Sequence, residues 1–122
     1  MKKIFYFTDV LAFLTREEDA INKLRKNLQI FKDHSSDIRL VWHPWSGTEK
    51  YLELNHSKVL ESYREIVETY CREAWGELDT SSSFSKTKEV LADCNAYYGD
   101  VSDLVYEAQN AKIPVMIQNV DC

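Results

Sequence analysis

Residues 94–118 decide the fold. They read Cys94-Asn95-Ala96-Tyr97-Tyr98-Gly99-Asp100-Val101-Ser102, then Leu104, Val105 and Ala108 at helical spacing, then Pro114-Val115-Met116-Ile117-Gln118. The first run, Cys94 to Tyr98, reads as a strand, and the glycine after it lets the backbone turn tightly. Ser102 stands where a helix cap belongs, and Ser102 to Ala111 places Leu104, Val105 and Ala108 on one face. Pro114 to Gln118 is a second apolar strand. Strand, helix and strand in so short a span form one right-handed parallel crossover unit.

The same alternation runs back to the N-terminus. Residues 3–7 are a short apolar and aromatic strand. Residues 17–33 carry Ala20, Ile21, Leu24, Leu28 and Phe31 on one helical face, with Glu17, Glu18 and Asp19 in the first turn, where negative charge suits the helix dipole. Residues 37–43 make a second strand, and Pro44 and Gly47 open a loop. A helix from Ser57 to Ala74 follows, with Ser57 as its N-cap and Val59, Leu60, Tyr63, Ile66, Val67, Tyr70 and Cys71 inward. Gly76 ends it. Residues 77–79 make a weak third strand and residues 84–92 a short helix. The expected fold is α/β: a single Rossmann-like doubly wound domain over residues 1–122. Its five-stranded parallel sheet runs in the order 3-2-1-4-5, with helices on both faces.

Composition agrees with one globular domain. The chain has 122 residues, 44% hydrophobic and 29% charged. Its net charge of -5 makes it a poor partner for nucleic acid or anionic lipid, which need clustered Lys and Arg. Three cysteines are too few and odd in number for a disulfide framework, so a reducing, cytoplasmic location is expected. No apolar run reaches the ~20 residues of a membrane span. Met1-Lys2-Lys3 before Ile4-Phe5-Tyr6-Phe7 resembles the start of a signal peptide. Asp9 interrupts that run, and Glu17-Glu18-Asp19 follow without a small-residue cleavage site, so a buried first strand is the reading. The three histidines and three cysteines lack metal-ligand spacing, and neither a metal nor a cofactor is expected.

In an open parallel sheet, ligands bind outside the carboxyl ends of the strands. Five segments qualify: Thr8-Asp9, His43 to Gly47, Asp79 to Ser81, Gly99 to Asp103, and Gln118-Asn119. His43 is the catalytic candidate, because a strand-end histidine can act as a general base or donate to a phosphate. The plain alternative is a packed strand-end imidazole. Thr8, Gly99, Asp100, Ser102 and Asp103 are the candidate ligand- or phosphate-binding residues, with plain capping by Ser102 as the alternative. Trp42 and Trp45 read as core and rim packing. Rival doubly wound families fail on spacing. A receiver domain needs a lysine after strand five, and Gln118-Asn119 stands there. A flavodoxin needs glycine in its first loop, and residues 8–16 have none. A low-molecular-weight tyrosine phosphatase needs Cys-x5-Arg, which no cysteine supplies. There is no Walker A lysine motif and no Gly-x-Gly-x-x-Gly.

Ala96-Tyr97-Tyr98-Gly99-Asp100-Val101-Ser102 with Pro114-Val115-Met116-Ile117-Gln118-Asn119 resembles the C-terminal half of bacterial proteins related to CDP-glycerol glycerophosphotransferases, which have the two-lobed GT-B fold. The resemblance extends back through Trp75-Gly76 and Trp42-x-Pro44 to the first strand. It implies a lobe that grips a nucleotide-diphosphate donor, with Gly99, Ser102 and the surrounding backbone holding the phosphates. Two residues depart from the family. Where it carries an Arg-Pro-His-Pro-like turn, this chain has Trp42-His43-Pro44-Trp45-Ser46: with Trp42 and Pro44 setting the register, His43 falls on the arginine and Trp45 on the histidine, whereas matching His43-Pro44 to the His-Pro restores the histidine but not the arginine. Where it has a second serine after Ser102, Asp103 stands. The resemblance also implies that one lobe is present, so catalysis would need a partner lobe or subunit. The alternative is a degenerate, non-catalytic domain that acts through protein contact or homodimerisation.

Overall fold

The computed structural model describes residues 1–118; Asn119 and Cys122 lie outside them. The strands are β1 (Lys2–Thr8), β2 (Ile38–Pro44), β3 (Glu77–Leu78), β4 (Ala96–Gly99) and β5 (Val115–Ile117). The helices are α1 (Leu11–Arg16), α2 (Glu18–Asp33), α3 (Thr48–Leu54), α4 (Leu60–Glu73), α5 (Phe84–Ala92) and α6 (Leu104–Asn110). Every strand pair is parallel, and the order is β3-β2-β1-β4-β5, as the alternation predicts. This is a Rossmann-like doubly wound domain. Among the described residues, no helix is long and apolar enough to cross a membrane.

Strand alternation sorts the core into two layers. Tyr6, Leu40 and Trp42 pack with Ile21, Leu24 and Leu28 of α2 and with Tyr63, Ile66 and Tyr70 of α4. Phe5, Phe7, Val41 and Tyr97 pack with Leu91 at the end of α5 and with Leu104 and Ala108 of α6. Each large apolar side chain so buried contributes about 1.5–3 kcal/mol. Trp42 is the hub of the first layer: its ring meets Tyr70 edge-on at 5.2 Å, and its indole N–H donates to Thr8 Oγ1 at 3.1 Å.

Two helices and two element starts depart most from the sequence reading. Helices α1 and α3 fall in stretches read as loop. Each is a turn or two long and could not form alone; Phe13 and Leu52, both buried, anchor them to the first core layer. Helix α4 begins at Leu60 rather than Ser57. Ser57 instead closes a preceding turn, its Oγ accepting the Val59 amide at 3.3 Å. Strand β4 begins at Ala96, because the Cys94 amide donates back to Leu91 O at 2.9 Å as the chain leaves α5.

Candidate functional site at the carboxyl edge of the sheet

The ends of β1, β4 and β5 are tied together by one buried carboxylate. Asp100 Oδ2 accepts the Asp9 amide at 2.8 Å, and Asp100 Oδ1 accepts Gln118 Nε2 at 2.9 Å. Asn27 of α2 extends the chain, its Nδ2 donating to Gln118 Oε1 at 2.7 Å and to Tyr6 Oη at 3.3 Å. Burial raises the Asp100 carboxyl above its ordinary value, and the Asp9 amide and Gln118 pull it partway back. Gly99 closes β4 with φ +136°, its backbone pressed against that of Phe7.

Beside this network, at the β1/β4 switch point, a cleft of about 170 Å³ opens among Thr8, Asp9, Arg16, Lys23, Asp100 and Gln118, with further walls from α1 and α2. Cofactor and drug-sized sites run to roughly 300–1,000 Å³. This cleft therefore matches a phosphate or a sugar rather than a whole nucleotide. Arg16 and Lys23 are the cations in its wall, among three carboxylates, Asp9, Asp19 and Asp100. The sequence reading missed both: Arg16 lies in the unrecognised helix α1, and Lys23 flanks the apolar stripe of α2.

The structure places the expected site residues unevenly. Thr8 and Asp100 line the cleft together. Both are buried, and the Thr8 hydroxyl accepts the Trp42 indole N–H. Ser102 lies one residue before the N-cap position of α6, which Asp103 holds; its Oγ accepts the Leu104 amide at 3.2 Å and meets Tyr97 Oη at 3.2 Å. Tyr97 Oη also donates to Asp100 O, and burial pushes the phenol up to about 12. Asp103 is exposed at the start of α6, which is only seven residues long. Asn119 lies outside the described residues.

His43 belongs to the other face. Its ring stacks on Phe5 at 5.5 Å and Phe7 at 5.9 Å, in the α5/α6 layer, whereas Thr8 bonds to Trp42 in the α2/α4 layer. His43 Nδ1 lies 2.9 Å from Asp79 Oδ2 and 3.2 Å from Asp79 O. Ser81 Oγ donates to the same Oδ2 at 2.8 Å and meets Thr87 Oγ1 at 2.8 Å. The edge thus carries two polar centres, one on each side of the sheet. Among the described residues, no group of three or more His, Cys, Asp or Glu is placed to hold a metal ion.

Fold and edge together define a Rossmann-like α/β domain with a small polar cleft at its switch point. Compared with protein-family models, curated proteins and solved structures, the chain has no match.

Proposed function

We propose that this domain is a nucleotide-diphosphate donor-binding lobe of a glycosyl- or glycerophosphotransferase-like protein, working with a second lobe or subunit rather than alone. The observation that carries this reading is the switch-point cleft with Arg16 and Lys23 in its wall. An open α/β sheet binds its ligands at that place, and cations there suit a phosphate. The volume supports a shared site, since about 170 Å³ holds part of a nucleotide donor. The stretch that resembles the glycerophosphotransferase group supplies Asp100 to the cleft wall, while Gly99, Ser102 and Asp103 are not among the residues that line it. His43 stands across the sheet from the cleft, which argues against catalysis by this chain alone.

Asp103, exposed at the start of α6, is not among the residues that line the cleft. Calorimetric titration with CDP and UDP should find weak binding to the wild type and roughly tenfold weaker binding to Lys23→Gln, which removes a cation from the cleft wall. No heat from either protein at millimolar nucleotide sinks the donor reading.

The second reading, a non-catalytic contact domain, would then take over. It has an observation of its own. Trp45 and Tyr51 pack edge-on at 5.8 Å while staying 37% and 45% exposed, and Leu54 is 66% exposed nearby in sequence on α3. Aromatic side chains left partly in water are what protein interfaces enrich.

A further inference from the structure

The histidine side of the edge carries an arrangement that lies outside the switch-point cleft. Two atoms face His43 Nδ1, the Asp79 carboxylate oxygen at 2.9 Å and the Asp79 carbonyl oxygen at 3.2 Å. A carbonyl oxygen only accepts, as does an ionised carboxylate, so the proton sits on Nδ1. The Asp79 carboxylate is itself braced: Ser81 Oγ donates to Oδ2 at 2.8 Å and the Ser81 amide to Oδ1 at 3.3 Å. Three donors, His43 Nδ1, Ser81 Oγ and the Ser81 amide, thus converge on this carboxylate. With Nδ1 protonated, the neutral ring has its lone pair on Nε2.

Nε2 makes no hydrogen bond to any described residue. Among those residues, Trp75 Nε1 is the one side-chain polar atom sealed from solvent without a partner. His43 Nε2 is not among the described polar atoms sealed without a partner, and the side chain keeps 8% of its exposure. The ring cannot swing away cheaply, because Phe5 and Phe7 stack on it.

We propose that Asp79, braced by Ser81, is a positioning residue that holds His43 in the Nδ1–H tautomer and so presents Nε2 at the carboxyl edge as an acceptor for a ligand hydroxyl. The ligand half of this statement rests on the donor-lobe reading; the tautomer half does not. The arrangement is that of a carboxylate–imidazole pair in which the carboxylate sets which nitrogen works.

Long-range proton–nitrogen spectra of the histidine-labelled chain test it, with exposed His56 as the internal reference. The expected wild-type result is a protonated Nδ1, an unprotonated Nε2 and a slowly exchanging downfield Nδ1–H signal. Asp79→Asn keeps the shape and removes the charge, so that signal should be lost or move upfield. Ser81→Ala frees Oδ2 to accept more strongly, and should move it further downfield, which keeps the test usable if Asp79→Asn does not fold. A protonated Nε2, tautomer averaging like that of His56, or a signal indifferent to the variants overturns the proposal. Calorimetry with CDP judges the donor reading separately. CDP binding that leaves the Nε2 resonance unmoved overturns the proposal and spares that reading. The expected tautomer without CDP binding supports the positioning role and sinks the reading.

Discussion

Gly99 shows how closely one position is determined. Its φ of +136° lies where side chains are strained, and a Cβ built there would stand 2.1 Å from Phe7 O. The obstacle is the backbone of the central strand, which cannot move aside without breaking the β1/β4 pairing that ends at Phe7 and Gly99. Gly99→Ala should therefore cost roughly 3 kcal/mol or more, combining backbone strain with a displaced ladder. Urea unfolding reads this as a lower midpoint; a loss under about 0.5 kcal/mol would show that the turn can relax. The glycine was legible in the sequence as a turn after a strand. Its contact with Phe7 was not, because that residue belongs to another strand. Cys94 is buried, and burial is the largest cause that pushes its thiol up to about 11. An aspartate that accepts amides from two segments, as Asp100 does, leaves no mark in a linear reading.

Among the elements, α4 ends in a way that its sequence could improve. Ala74 holds the left-handed conformation, φ 55° and ψ 24°, at the C-terminus of the helix. An L side chain there costs roughly 1–2 kcal/mol, which glycine avoids at some loss of unfolded-state entropy. Ala74→Gly should raise stability by about 0.5–1 kcal/mol, a rise of a few degrees in a thermal melt. An unchanged or lower Tm would mean that the Ala74 methyl packs better than its exposure suggests. The long helices α2 and α4 were legible because apolar periodicity repeats over several turns. The short helices α1 and α3 were not, since Phe13 and Leu52 supply through tertiary burial what their local sequence lacks.

Across the whole molecule, Asp100 joins elements that are distant in the chain, and that junction should be visible in the pH dependence of stability. Burial raises its carboxyl, the Asp9 carboxylate adds to the rise, and Lys23 opposes it. An acid raised on folding holds its proton more tightly in the native state. Its contribution to stability is fully present below the unfolded value and is lost as pH rises through the folded one. Subtracting Asp100→Asn isolates this group. The stability of wild type relative to the variant should be greatest below the ordinary carboxylate value and should decline as pH rises through the raised value of the folded carboxyl. A difference that stays flat, or grows with pH, would show that the hydrogen bonds from Asp9 and Gln118 outweigh burial.

The sequence by itself determined the alternation of strands and helices, the parallel sheet with β1 at its centre, and a helix start just after Ser102. These follow from periodicity, turn residues and crossover handedness, all of which are local or nearly so. Only the tertiary structure decided which edge residues share a site. Thr8 and His43 both lie at the carboxyl edge, in adjacent strands, yet they belong to opposite faces. A site at the edge of a sheet is assembled from several strand ends, and side-chain parity across paired strands depends on register, which no single stretch of sequence contains. The approach of Arg16 and Lys23 to Asp100, and of Asp79 to His43, is likewise a product of how α1, α2 and β3 come to rest against β1 and β2.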